Sequence, residues 1–268
     1  MAGHSKWANI KRQKARVDAK RANIFTKISR EIIVAARSGA DPAGNFQLRT
    51  AIEKARTAGI PNDNIDRAIA KGSGSLSGEG NYEAIRYEGY GAGGVAILIE
   101  ALTDNRNRAA ADLRAAFSKN GGNLGETGCV GWMFEQKGVV ELHFAPEPGS
   151  RGRNRSPQPT VDEEALLEAC LEGGADTYEL QNTENLPIAE VFTPVENLEH
   201  LSQTLSANGY RVAQAELRWL PQNTVEVTDL DQARALLKLV DTLEDLDDVQ
   251  SVTANFDLSD DLITTAIA

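Results

Sequence analysis

Two hundred and sixty-eight residues, with 41% apolar, 25% charged and 6% aromatic side chains, describe a globular chain long enough for two or three domains, not a disordered or fibrous one. No apolar run exceeds five residues, Val95 to Ile99 being one, against the ~18 of a membrane span, and the basic N-terminus leads into no apolar segment. Neither a membrane helix nor secretion is expected, and the cytoplasm is the expected location. The net charge of −11 reads against a polyanionic partner until it is divided: residues 1–72 hold 15 Lys+Arg and 6 Asp+Glu, a net of +9, whereas residues 73–268 hold 13 and 33, a net of −20.

In chain order, Lys6 to Lys20 permits a helix, but its large apolar residues are Trp7, Ile10 and Val17, too thin a stripe to bury a broad face. Ile24, Phe25, Ile28, Ile32, Ile33 and Ala36 recur at spacings of three and four and predict a helix stopped at Gly39. Leu48, Ala51, Ile52 and Ala55 predict a second, halted by Gly59 and Pro61. Ile65, Ala68 and Ile69 predict a third from about Asn62, with Gly72 as its stop. The Gly/Ser-rich residues 72–80 read as a linker. Beyond it the period changes. Ile85 to Tyr90 and Val95 to Leu102 predict strands around a glycine turn, and Thr103-Asp104 is placed to cap a helix from Asn105 to Lys119.

Gly131 to Phe134 and Gly138 to Phe144 predict further strands. Ala145 to Thr160 contains Pro146, Pro148, Pro157 and Pro159 with Arg151, Arg153 and Arg155 and has nothing apolar after Ala145, so a mobile insertion is expected. A helix over Glu163 to Leu171 and strands over Thr177 to Leu180 and Ala189 to Phe192 follow, then a helix over Pro194 to Ala207 and a strand over Arg211 to Leu220. Val225 to Val227, a helix over Leu230 to Leu243 and one strand over Asp248 to Leu258 complete the order. Ser259 to Ala268 shows no packing logic and is expected to fray.

This order predicts a multidomain α and α+β protein: an N-terminal helical domain followed by two ferredoxin-like, split β-α-β domains, one inserted in the other. The expected boundaries are a basic helical domain over 1–78, a discontinuous α/β domain over 79–134 and 222–258, an inserted α/β domain over 135–221, and the tail 259–268.

Gly89-Tyr90-Gly91-Ala92-Gly93-Gly94 matches the dinucleotide fingerprint G-x-G-x-x-G by letter. That fingerprint needs a helix to follow, so that pyrophosphate meets helix N-terminal amides, and here the strand residues Val95 to Ile99 follow. A glycine hairpin is the better reading. Cys129 and Cys170 are 41 residues apart and form neither a zinc motif nor a disulfide framework. His4, His143 and His200 lack metal-ligand spacing. The acids Asp241, Glu244, Asp245, Asp247 and Asp248 lack the glycine of an EF-hand loop and read as a solvated helix end. No catalytic constellation, metal site, cofactor or small-molecule substrate is indicated, so a non-enzyme is expected.

The helix-turn-helix reading of residues 47–71 is disfavoured, because the second helix sets Asp63 and Asp66 against Arg67 and Lys71 and so carries no net positive charge toward a groove. Aromatic stacking platforms of the RRM or OB kind are missing from the basic domain, which offers Trp7, Phe25 and Phe46. The physical signal is charge density without compensation. Residues 1–30 hold nine bases and one acid, Asp18, so pairing within the helix cannot neutralise them. The candidate nucleic-acid-binding residues are Lys6, Trp7, Lys11, Arg12, Lys14, Arg16, Lys20, Arg21, Lys27 and Arg30. Arg106 and Arg108, at a helix start, form a candidate secondary anion contact.

Met1-Ala2-Gly3-His4-Ser5-Lys6-Trp7-Ala8-Asn9-Ile10-Lys11, Pro61-Asn62-Asp63-Asn64-Ile65, Tyr87-Glu88-Gly89-Tyr90-Gly91 and Thr103-Asp104-Asn105-Arg106-Asn107-Arg108 resemble the YebC/PmpR family, and the likeness runs to about Leu258. The resemblance implies a helical domain plus two α/β domains, no enzymatic activity and work on nucleic acid. It implies either a DNA-binding transcriptional regulator or a ribosome-associated factor, contacting ribosomal RNA and aiding synthesis of proline-rich stretches, as for a related mitochondrial translational activator. The Arg/Pro-rich stretch 145–160 is longer than the family pattern.

Overall fold

The computed structural model describes residues 18–75, 82–144, 161–182 and 187–267. The thin-striped segment 6–17, the linker from residue 76 and the Arg/Pro-rich stretch 145–160 lie outside these residues. The chain divides into two compact units, Met1–Glu135 with Pro221–Ala268, and Gln136–Leu220.

The first unit begins with three helices: α1 (Asp18–Ala36), α2 (Phe46–Thr57) and α3 (Asn62–Gly72). Their apolar stripes converge as the spacing requires, burying Ile28, Ile32, Ile33, Leu48, Ala51, Ile52, Ala55, Ile65 and Ala68 in one cluster. Ile24, assigned by spacing to the stripe, is 47% exposed and stands at its edge. Asn45 fastens the α1–α2 corner. Its Oδ1 accepts the Leu48 amide at 3.0 Å, capping α2, while its Nδ2 donates to the Ala35 and Gly39 carbonyls at 2.8 Å each. Gly72 does more than stop α3: a Cβ there would lie 2.3 Å from the Ile33 carbonyl oxygen, so glycine is what lets α3 close on α1.

The same unit carries a four-stranded sheet in the order β3-β1-β2-β9, built from β1 (Glu83–Tyr90), β2 (Ala96–Thr103), β3 (Asn123–Leu124) and β9 (Val249–Ala254). β1 and β2 form an antiparallel hairpin from Glu83↔Thr103 to Tyr90↔Ala96. Its turn holds Gly93 and Gly94 at φ of 71° and 75°, so the G-x-G-x-x-G letters encode a hairpin, as the strand that follows them requires. α4 (Arg106–Lys119) and α7 (Leu230–Glu244) pack their apolar faces with Ile97, Ile99, Val249 and Val252 into the main core. The cap of α4 is Asn105, whose side chain accepts the Arg108 amide at 3.1 Å, one residue beyond the expected Thr103-Asp104. Thr103 instead turns its hydroxyl to the Asn105 backbone and to Asp248.

Two expectations at the C-terminus are corrected. The single strand expected over 248–258 is broken at Asn255 into β9 and β10 (Phe256–Asp257), which pairs in parallel with β8 (Val225–Glu226) in a separate sheet. Asn255 causes the break: buried, it accepts the Ala96 amide at 2.8 Å and donates to the Asn223 carbonyl at 3.2 Å. The tail expected to fray contains helix α8 (Asp260–Ile267), started by the Ser259 hydroxyl, which accepts the Leu262 amide, and docked by a fully buried Ile263.

The second unit holds most of β4 (Phe134–His143), then α5 (Glu163–Glu172), β5 (Thr177–Asn182), β6 (Pro187–Thr193), α6 (Leu198–Ala207) and β7 (Val212–Pro221). The order β5-β6-β4-β7 is the split β-α-β of a ferredoxin-like fold. Gly131 to Met133, expected to begin a strand, forms a 3₁₀ turn ahead of β4. Cys170 lies on the buried face of α5, and desolvation pushes its thiol up to about 11, the behaviour of a small core residue rather than a nucleophile.

Candidate nucleic-acid interface

The +9 of residues 1–72 is unevenly spread. Seven bases and one acid precede residue 23, whereas residues 23–72 hold eight bases and five acids. Of the candidate contacts, Lys6, Trp7, Lys11, Arg12, Lys14 and Arg16 lie outside the described residues, and Lys20 and Arg21 lie on the first turn of α1. Lys27 and Arg30 are described, and both side chains have partners within the protein.

Asn23, Lys27 and Arg30 repeat at four and three, so they line one face of α1, and that face meets the end of α7. Asn23 Nδ2 donates to the Asp245 carbonyl at 2.9 Å, Lys27 Nζ to the Glu244 carbonyl, and Arg30 Nη1 to the Asp247 carbonyl. These acceptors include last-turn carbonyls that an α-helix leaves without partners, at the negative end of its dipole, so they draw cations. Arg30 also reaches Asp248 Oδ1 at 2.9 Å and lies over the Tyr82 ring at 5.3 Å; its side chain is 12% exposed. A guanidinium so enclosed is unavailable to an external phosphate.

Asp248 is the junction. Its carboxylate, 9% exposed, accepts from Arg30, from Arg108 Nε at 3.2 Å and Nη2 at 2.9 Å, and from the Thr103 hydroxyl at 3.0 Å. Arg108 Nη2 also bonds Asp104 Oδ1 at 2.7 Å. Hydrogen bonds to Asp248 and then Asp104 raise the Arg108 pKa, and the Arg108 bond in turn holds the Asp104 carboxyl below its ordinary value. The acid block read as a solvated helix end is therefore the seat of α1. It is missed from sequence because Arg30 and Asp248 are 218 residues apart. A cleft of about 540 Å³ beside this junction sets Arg30 and Arg108 against Asp104, Asp112, Asp245, Asp247 and Asp248, an excess of acid that disfavours an anion there.

The two candidate secondary contacts consequently part company. Arg108 is neutralised internally, whereas Arg106 stays 69% exposed, with Glu83 as a surface partner at 3.3 Å. Surface pairs of this kind are weak, so Arg106 can exchange partners. On the helices, Arg56 and Lys71 have no hydrogen-bond or ion-pair partner for their side chains among the described residues. Sequence reasoning passed over both because each sits in an ordinary amphipathic pattern. α3 keeps Asp63 and Asp66 exposed beside Arg67, which bonds back to Asn64, so it offers a groove no net positive face. Among the described residues no three His, Cys, Asp or Glu side chains converge as a metal site would require, and no helix is long and apolar enough to cross a membrane.

Comparison with known proteins agrees with this architecture. Residues 5–75 match the TACO1/YebC protein N-terminal domain, and residues 82–256 match the TACO1/YebC second and third domain. A protein of Gloeothece citriformis is 67% identical and one of Nostoc punctiforme 65% identical, each aligned over all of both chains; both are named probable transcriptional regulatory proteins. The crystal structure of a conserved hypothetical protein from Aquifex aeolicus superposes with a TM-score of 0.77 at 43% identity, covering 92% of this chain and 94% of that one. From its helical domain to its last strand, the chain belongs to the TACO1/YebC family.

Proposed function

We propose that this chain is a non-enzymatic, nucleic-acid-binding regulator of the cytoplasm, a DNA-binding regulator of transcription, that grips phosphate with its N-terminal basic segment. The carrying observation is the seven bases against one acid ahead of residue 23, once Lys27, Arg30 and Arg108 are assigned to internal partners. The names of the cyanobacterial relatives support a role in transcription. Lys6, Trp7, Lys11, Arg12, Lys14, Arg16, Lys20 and Arg21 are then the primary contacts, with Arg106 the surviving secondary one. The acidic remainder, net −20 beyond residue 72, disfavours binding in other orientations.

The test is a salt-titrated binding assay on duplex DNA. With six to ten phosphate contacts, affinity falls by roughly 10³ to 10⁵ between 50 and 200 mM salt. Reversing Lys11, Arg12 and Lys14 to Glu abolishes binding and leaves the fold intact; unchanged affinity would move the interface elsewhere. A ribosomal RNA partner is the second reading, favoured by one observation: α3 presents Asp63 and Asp66 outward, so the helix placed to read base edges is not basic. Equal affinity for a promoter and its scrambled duplex, together with co-sedimentation with ribosomes at low salt, selects that reading.

A further inference from the structure

Between β3 and β4 the chain makes a loop, residues 125–133, organised around one buried carboxylate. The Glu88 side chain is fully enclosed. Its Oε1 accepts the Gly128 amide at 2.9 Å, and its Oε2 accepts the Val130 and Gly131 amides at 2.7 Å each. The Glu88 carbonyl also accepts the Gly125 amide at 2.8 Å, and Tyr90 donates its hydroxyl to the Cys129 carbonyl at 3.0 Å. Two glycines are needed for this fit. A Cβ at Gly125 would lie 2.5 Å from the Cys129 sulfur, and one at Gly131 3.2 Å from Glu88 Oε1. Val130, fully buried, pins the loop from below.

This scaffold presents Trp132, 66% exposed. The indole N–H already donates to the Cys129 carbonyl at 3.3 Å, so what the side chain offers outward is ring surface. Ile24 is the other large apolar residue exposed in the described part of this compact unit. A protein partner needs an apolar interface core within about 800 Å² per side. A lone indole in a loop with exposed Glu126, Thr127 and Gly128 provides none. One planar group laid on one ring needs no more than this.

We propose that Trp132 is a stacking platform for an unpaired base of single-stranded nucleic acid, held ready by Glu88. The proposal rests on the nucleic-acid reading above and adds to it that the bound strand is locally unpaired. It also places a stacking aromatic outside the basic domain. Stacking uses the π-face every base has, so it complements phosphate contacts without demanding a particular sequence.

The test uses the full chain with fluorescent 15-mers of oligo(dT) and oligo(U), and a 15-base-pair duplex. Trp132→Ala is expected to weaken single-strand binding by roughly 5- to 150-fold, as loss of one base–aromatic stack does. It is expected to leave duplex binding within twofold, and Trp132→Phe to restore most of the loss. Tryptophan emission falls on single-strand binding in wild type, and this fall shrinks in Trp132→Phe. The two oligonucleotides distinguish a DNA from an RNA source of the base. Wild-type single-strand affinity in Trp132→Ala, or emission that responds to a proline-rich peptide and not to either oligonucleotide, overturns the proposal. Failure of the phosphate reading appears separately, as duplex affinity that ignores the Lys11, Arg12 and Lys14 reversals.

Discussion

Asp248 and Glu88 are both buried carboxylates of the first compact unit, yet they are satisfied in opposite ways. Asp248 lies between two guanidinium groups, from α1 and α4, and joins pieces of chain remote in sequence. Glu88 is held by three backbone amides of one loop, with Arg86 a distant 4.0 Å away, and shapes a local surface. The difference bears on function. Cations held by an internal carboxylate count toward composition but not toward the field a phosphate meets, whereas a carboxylate held by amides consumes no cation and leaves the loop's side chains free to face outward.

The largest effect expected is at Asp248. Replacement by Ala leaves Arg30 enclosed without its counter-charge, and breaking a buried pair from one side costs about 3–5 kcal/mol. Urea unfolding of Asp248→Ala against wild type measures it. A loss below about 1 kcal/mol would mean that the helix-end carbonyls alone hold Arg30. Glu88→Ala comes next. Three amides lose an acceptor, but Gly128 and Gly131 are near enough to the surface for water to compensate in part, so about 2 kcal/mol is expected. The same variant should weaken single-strand binding as Trp132→Ala does, since it releases the loop rather than removing the ring.

Glu88 also gives the comparison a pH axis. Burial would raise its pKa, but the amides of Gly128, Val130 and Gly131, with Arg86, outweigh burial and hold it below the ordinary carboxylate value. A depressed folded pKa contributes stability fully above the unfolded value of about 4.3, and the contribution is lost as pH falls through the folded value. The stability gap between wild type and Glu88→Gln should therefore be constant near neutrality and close below about pH 4. A gap that persists unchanged at pH 3 would show that the bonds survive protonation.

How far these features could be read in advance depends on the sequence distance between partners. The stripes of α1, α2 and α3 lie within single helices, so period alone located Ile32, Leu48 and Ala55 in the core. The hairpin at Gly89 to Gly94 was legible because the next five residues, Val95 to Ile99, are a short apolar run rich in β-branched side chains, the mark of a buried strand. Asp248 was not legible as a seat for Arg30, since no local pattern ties residue 30 to residue 248. Asn255 and Ile263 failed for the same reason: their partners are Ala96, Asn223 and the α7 core. Trp132 escaped notice because exposure of an aromatic is a property of the folded loop, not of the letters Gly-Trp-Met.

The smallest predicted effects separate the cations by position. Each phosphate contact contributes about 0.9 to the slope of log K against log salt for duplex DNA. Lys11→Ala should reduce that slope by about 0.9, whereas Lys27→Ala should leave it unchanged, because Lys27 serves the Glu244 carbonyl. Arg106→Ala tests the boundary between the two classes. Its pair with Glu83 is exposed on both sides, so stability should change by less than about 0.5 kcal/mol. If the start of α4 meets phosphate, the slope should nevertheless drop by about 0.9. No change in slope would remove Arg106 from the interface and confine phosphate binding to the segment ahead of residue 23 with Arg56 and Lys71, two cations of the helical region without a side-chain partner among the described residues.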